Sequence, residues 1–148
     1  MATFTGKFYG LFWKSALNKE IDIDSDNIKI MLLDDTYTFA QDTHQYKSSI
    51  TGEVSGTGYA AGGQTLTGVS VTYDAATNTI KLAAANPSWA TSTITDVDQA
   101  VIYDATPGTD ATRPLIAHLQ SDSPLSSNNG TLSIAFDPGG IATLNVAA

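Results

Sequence analysis

Three aspartates alternate along the chain in a pattern that could gather a hard cation such as calcium. They are Asp22, Asp24 and Asp26. A calcium-binding EF-hand loop that starts at Asp22 would need glycine at its sixth position and glutamate at its twelfth. Asn27 and Leu33 occupy those positions. The sequence therefore predicts a solvated acidic turn before a strand, and no metal site.

The two histidines and a glycine-rich run are the other candidates for chemistry. His44 and His118 lie far apart, and neither belongs to a catalytic or metal-binding motif, so we interpret them as surface or half-buried side chains. The run Gly56-Thr-Gly-Tyr-Ala-Ala-Gly62 approaches a dinucleotide-binding fingerprint, but alanine at position 61 replaces its third glycine and strand-like residues follow. With no cysteine and no serine in a nucleophile motif, the sequence predicts a non-enzymatic protein without a cofactor.

The composition favours a surface made for contact with other proteins. The chain has 148 residues, 42% of them apolar and only 15% charged, where about 25% charged is usual. Its polar surface must therefore consist mainly of threonine, serine, asparagine and glycine. Charged side chains are depleted at the centres of interfaces, so this composition hints at assembly.

Charge and hydropathy exclude several classes of partner. The net charge is −8, and seven basic residues are spread along the chain, which predicts no direct binding to nucleic acid or to an anionic membrane. The opening residues lack the basic and apolar segments of a secretory signal, and no apolar run is long enough to span a bilayer.

The N-terminal segment, residues 1–19, is the best candidate for a helix. Apolar residues recur near helical spacing between Thr5, a candidate N-cap, and Asn18. The segment is also aromatic, and its large side chains could close one end of the core or insert into a neighbouring subunit. The residues concerned are Phe8, Tyr9, Phe12 and Trp13.

The rest of the chain has β character. A buried strand is predicted at 28–33, a short helical turn at 42–46, a turn or extended crossing at 53–63, and a polar loop at 124–130. Further strands are predicted at 66–73, 79–83, 89–94, 100–104, 114–119, 131–136 and 141–146. The turn Asp137-Pro-Gly-Gly140 is expected to pair the last two of these strands with each other.

Short strands at this regular spacing predict the fold class. We expect one mainly β domain spanning 1–148, an antiparallel β-sandwich or small barrel of about seven or eight strands with an N-terminal helix.

The order of several segments resembles a family of small structural proteins of tailed bacteriophage particles, many of them without an assigned function. The most specific segment is Glu53-Val-Ser-Gly-Thr-Gly-Tyr-Ala-Ala-Gly-Gly63. The resemblance continues through Pro87-Ser-Trp89, Ala100-Val-Ile-Tyr-Asp104 and Phe136-Asp-Pro-Gly-Gly-Ile-Ala-Thr-Leu144. It implies a particle component that assembles in the host cytoplasm, with no catalytic motif to carry across.

The resemblance leaves the position on the particle open. One hypothesis is a capsid decoration or cement subunit, favoured as a trimer, that binds the major capsid protein and stabilises the shell. The alternative is a tail, neck or fibre-associated subunit that contacts its neighbours in a ring. A third hypothesis is a carbohydrate-binding module, in which exposed aromatic rings stack on sugars. The rings available for stacking would be Trp13, Tyr59, Trp89 and Tyr103, although core packing suits Trp89 better.

Two groups of residues are candidates for contacts between subunits. Buried aromatic anchors dominate interface energetics, and glycines permit close approach of a neighbouring backbone. Packing within the chain is the alternative for both groups. The candidates are Phe8, Tyr9, Phe12, Trp13, Gly56, Gly58, Tyr59, Gly62 and Gly63.

Overall fold

A computed structural model describes residues 2–147 as nine strands, one α-helix and one 3₁₀ helix. The mainly β class, the antiparallel sandwich and the short N-terminal helix are confirmed, with nine strands rather than seven or eight. The 3₁₀ helix is Lys47–Ser49, just after the helical turn predicted at 42–46. The other elements are β1 (Phe4–Phe8), α1 (Gly10–Leu17), β2 (Ile28–Leu33), β3 (Gly56–Thr57), β4 (Gln64–Thr65), β5 (Ser70–Asp74), β6 (Thr79–Ala83), β7 (Ser88–Asp104), β8 (Leu115–Ser133) and β9 (Ala142–Asn145).

The larger sheet is built around the pairing of β7 with β8. Its strand order is β1-β8-β7-β2-β4, and β3 also pairs with β7. All the pairs are antiparallel. The run Ala100-Val-Ile-Tyr-Asp104 is buried on both faces, as expected for a central strand.

The smaller sheet has the order β5-β6-β9 and covers one end of the core. Its apolar face carries Leu82 and Ala142, which are 1% and 2% exposed and belong to the same hydrophobic cluster as β2, β7 and β8. Strand β9 lies against β1, where Gly6 sits on the carbonyl group of Ile141. A side chain at position 6 would overlap that carbonyl oxygen.

The predicted N-terminal helix is correct only in its second half. Residues 4–8 form a strand that pairs with 117–121 of β8, with Phe4 and Phe8 buried. The helix begins at Gly10, and the residue before it is the extended Tyr9, so Thr5 is not the N-cap. The helical spacing of the apolar residues misled the prediction because a strand with buried residues at both ends fits the same positions.

A predicted loop, a predicted break between two strands and a predicted strand pairing are also wrong. The stretch 124–130 is not a loop but part of β8, and 89–94 and 100–104 belong to one continuous strand, β7. Strand β9 pairs with β6 rather than with 131–136. The Asp137 turn does form, with the Gly140 amide donating to the Asp137 carbonyl at 2.9 Å, but the chain then crosses to the other sheet.

We expect Gly63→Ala to lower the free energy of unfolding by about 3 kcal/mol or more. Gly63 has φ +73°, and an added Cβ would overlap the carbonyl oxygen of Ile30 on β2. The control is Gly108→Ala, where a Cβ meets no atom within 4 Å. Denaturant unfolding of both variants checks this, and equal stabilities would contradict it.

Candidate assembly surface

Strands β7 and β8 continue beyond their pairing with β2 and β1 and stay paired with each other. Strand β2 pairs with residues 99–104 of β7, and β1 pairs with residues 117–121 of β8. We call the part beyond these pairs, residues 88–98 and 122–133, the polar ribbon. Bulges interrupt its register at several points, and Thr91, Asp96 and Asn129 have positive φ there.

Residues 123–133 of the outer strand are mostly exposed and carry no charge, whereas Asp122 precedes them and Asp96 and Asp98 lie on the inner strand. Residues 123–133 read Ser-Pro-Leu-Ser-Ser-Asn-Asn-Gly-Thr-Leu-Ser, and only Leu132 is buried. Within residues 2–147, no strand pairs with the outer side of this segment. In a chain with a net charge of −8, it is an uncharged surface available for contact with another protein.

Buried contacts fix the shape of the polar ribbon. Trp89, Ile94 and Val97 point into the core, with exposures of 5%, 0% and 0%. The buried Ser92 hydroxyl lies 2.7 Å from the Ser127 hydroxyl and donates to the Trp89 carbonyl at 2.9 Å. These contacts hold the two strands together across their bulges, so the ribbon presents a fixed surface.

The glycine-rich segment braces the polar ribbon from its other side. Strand β3 places Gly56 opposite Ile94 and Thr57 opposite Thr93. A side chain at position 56 would overlap the Thr93 carbonyl, and Gly58, with φ +78°, lies over Ser92. The close approach predicted for the glycines therefore occurs within the chain, and a contact with a neighbouring subunit stays a prediction.

Hydrogen bonds of Glu53 and Tyr59 connect the glycine-rich segment to β2. The Tyr59 hydroxyl donates to Glu53 Oε1 at 2.9 Å and accepts from the Leu32 amide at 3.1 Å. The same Glu53 oxygen accepts from the Gly62 amide. Burial, with the Glu53 carboxylate nearby, raises the pKa of Tyr59 well above its usual value, so the hydroxyl stays a donor.

We expect Tyr59→Phe to lower the free energy of unfolding by about 1–3 kcal/mol, because the Leu32 amide and the Glu53 carboxylate each lose a partner. Tyr73→Phe is the control, since the Tyr73 hydroxyl makes only an exposed hydrogen bond to Asn78. Thermal and denaturant unfolding measure the difference. A loss of unfolding free energy in Tyr73→Phe as large as that in Tyr59→Phe would contradict the role assigned to the Tyr59 hydroxyl.

The aromatic N-terminal set fills the core of its own chain. Phe8, Tyr9 and Phe12 are 6%, 0% and 3% exposed, and Phe8 stacks on Phe12 with ring centroids 5.3 Å apart. Trp13 is half-buried against both phenylalanines. Three of the four side chains are thus already covered by the chain's own residues, and their role in subunit contacts stays a prediction.

Two of the four rings proposed to stack on sugars are buried. Trp89 and Tyr103 are 5% and 1% exposed, so neither offers a free face. The expected core packing of Trp89 is confirmed. Trp13 and Tyr59 are half-buried, and the Tyr59 ring lies beside that of Trp89 with centroids 6.2 Å apart.

A buried polar cluster around His118 was not predicted. His118 is 4% exposed, contrary to the surface or half-buried position expected, and its Nε2 lies 2.7 Å from Gln99 Oε1. The Gln99 amide also donates to the carbonyls of Asp34 and Tyr37. Phe39 stacks on the imidazole at 4.3 Å. Burial, with Lys7 nearby, lowers the pKa of His118 from 6.5 to about 4.

We expect His118 to make the protein acid-sensitive between pH 6.5 and about 4. In that window the unfolded chain binds a proton at this position and the folded chain does not, so stability falls as the pH falls, by about 3 kcal/mol in total. Asp98 and Asp104 have raised pKa values and act in the opposite direction.

Comparison with His118→Gln isolates the effect of His118, because both proteins retain the two aspartates. Denaturant unfolding is measured at pH 7, 5.5 and 4. As the pH falls, the unaltered protein should lose more unfolding free energy than the variant does. A difference that does not change with pH would contradict the assignment.

The three aspartates form a turn before β2, as predicted. The Asp22 amide donates to Asp26, and the Asp24 amide donates to Asp22 Oδ1 at 3.1 Å. Asp104, which the sequence did not single out, is fully buried, and its Oδ2 has no hydrogen-bond partner among the described residues. Burial, with Asp26 nearby, raises the pKa of Asp104. Residues 2–147 contain no group of three or more acidic or histidine side chains that could hold a metal ion.

No family model, curated protein or solved structure matches this chain. Within residues 2–147, no helix has both the length and the apolar character needed to cross a membrane.

Proposed function

We propose that this protein is a structural subunit of a tailed-bacteriophage particle, bound to the outside of the capsid as a decoration or cement protein. The observation that carries the proposal is the polar ribbon, whose outer strand edge at 123–133 is exposed, uncharged and held in a fixed shape. The proposal also rests on the resemblance of the sequence to small particle proteins. A tail, neck or fibre position is the alternative location.

The distribution of charge supports contact through the polar ribbon. Burying a charged side chain in an interface costs free energy unless a partner neutralises it, whereas serine and asparagine can exchange water for hydrogen bonds at little cost. The acidic remainder of the surface would then face solvent.

A subunit of this kind acts through mass action. Because it binds the assembled shell and not the separated capsid proteins, its binding free energy stabilises the shell. Each contact can be modest, since many copies act together on one closed particle.

Cryo-EM of the particle tests the location. Density for this sandwich on the outer face of the shell is the expected result. Density only at the neck or tail would overturn the decoration role but leave a structural role, and absence of the chain from purified particles would overturn both.

We expect Asn128→Glu and Asn128→Lys each to lower particle occupancy at least tenfold, because a charge of either sign would be buried without a partner at the polar ribbon. Asn128 is exposed on the outer strand. The controls are Ala111→Glu and Ala111→Lys, at an exposed position in the loop at the other end of the β7–β8 hairpin.

Occupancy is measured by quantitative mass spectrometry of purified particles, with unfolding curves to confirm that the variants fold. Equal occupancy of the Asn128 and Ala111 variants would contradict contact through the ribbon. Deleting residues 1–13 is a poorer test, because it removes β1 and part of the core.

A further inference from the structure

The outer edge of β5 is a second unpaired strand edge, and it differs from the polar ribbon in being apolar on one face. Within residues 2–147, β5 pairs only with β6, in a regular register without a bulge. Edge strands are commonly protected from other strands by lysine, proline or a bulge. The sequence of β5, Ser70-Val-Thr-Tyr-Asp74, contains none of these.

The apolar face of the smaller sheet extends beyond the core that it covers. In the register of β5 with β6, Val71 lies opposite Leu82 and Tyr73 opposite Ile80. Leu82 is 1% exposed, but Val71 and Tyr73 are 44% and 56% exposed. The apolar face of the smaller sheet is therefore buried at Leu82 on β6 and exposed to solvent at Val71 and Tyr73 on β5.

Charge makes the smaller sheet a place where two copies of this chain can meet with little repulsion. The chain carries a net charge of −8, so two copies repel each other over most of their surfaces. The strands of the smaller sheet hold one acidic and one basic residue, Asp74 and Lys81, which form an ion pair at 3.5 Å. This sheet is thus a neutral surface through which two copies can meet.

We infer that β5 pairs with β5 of a second copy and joins the two smaller sheets into one six-stranded antiparallel sheet. The opposite edge strand, β9, lies against β1, so β5 is the edge available and the contact must be the same on both copies. Such a contact has two-fold symmetry and makes a dimer, not the trimer expected of a decoration protein.

The two-fold axis fixes which residues meet. Centring the pair on Thr72 uses all five residues of β5 and keeps the apolar side chains on one face. Val71 then lies opposite the partner's Tyr73, a β-branched and aromatic pair that stabilises antiparallel strands. Asp74 lies opposite the partner's Ser70, which places the two acidic residues at opposite ends of the pair.

Sedimentation velocity over a concentration series tests the dimer. A five-residue pair is small beside standard interfaces of about 1,600 Å², so we expect a concentration-dependent dimer. The double variant Val71→Lys/Tyr73→Lys should weaken it at least tenfold, because it brings four positive charges together in the dimer. It also lowers the net negative charge, so a general loss of repulsion would act in the opposite direction.

Leu17→Lys is the matched control, since Leu17 is 83% exposed and belongs to α1, not to β5. We expect it to dimerise like the unaltered chain. A protein that is monomeric at all concentrations, a trimer, or equal weakening by Leu17→Lys would overturn the inference.

A single cysteine provides an independent test that does not depend on affinity. The chain has no cysteine, and Thr72 is exposed at the centre of the pair. Directly opposite residues in antiparallel strands have Cα atoms about 4.5–5.5 Å apart, within the range that a disulfide spans.

Mild oxidation should therefore convert Thr72→Cys to a covalent dimer at least tenfold faster than Leu17→Cys, and similar rates would overturn the inference. Both readouts are made on the purified chain. They are therefore distinguishable from failure of the proposed function, which is read on the particle.

Discussion

The hydrogen bonding between β7 and β8 is the interaction on which the larger sheet depends. Strand β7 also carries β2 and β3, and β8 carries β1, so each of these strands is positioned by the long pair. The pair is buried at one end, around Ala100–Asp104, and mostly exposed along the outer strand at the other. One pair of strands thus serves as the centre of the core and as the polar ribbon.

The polar and apolar strand edges divide the surface into two kinds of contact. The polar ribbon can exchange water for hydrogen bonds with a partner of different sequence, whereas the β5 edge brings together apolar side chains of identical chains. Each lies on a different sheet. A subunit with both edges could associate with its own kind and still bind a larger structure.

The elements predicted best were those whose own residues carry the signal. Ile28–Leu33 and Thr79–Ala83 have the expected strand composition, and both strands form where they were predicted. The second half of β8 lacks apolar alternation, so the sequence indicated a loop there. Its strand conformation depends instead on pairing with β7 and on the hydrogen bond of the Ser127 hydroxyl. The partner of β9 depends on contacts between distant segments, which local patterns do not contain.

The same limit applies to the candidate surface. The sequence showed an unusual glycine-rich segment. Glycine is required there because the fold brings Ser92 and Thr93 against it, and the sequence alone does not show that contact. The sequence also did not predict the burial of His118 and Asp104, because each lies in a strand of ordinary composition. The particle location rests on resemblance and surface chemistry, and it stays a proposal.

The pairing of the first strand with the eighth has a consequence for synthesis. Residues 4–8 find their partners at 117–121, so β1 cannot dock until most of the chain has left the ribosome. Closing so long a loop is slow compared with forming a local hairpin, because its entropy must be lost before any contact compensates. A chain that ends before residue 117 therefore lacks the partner of β1.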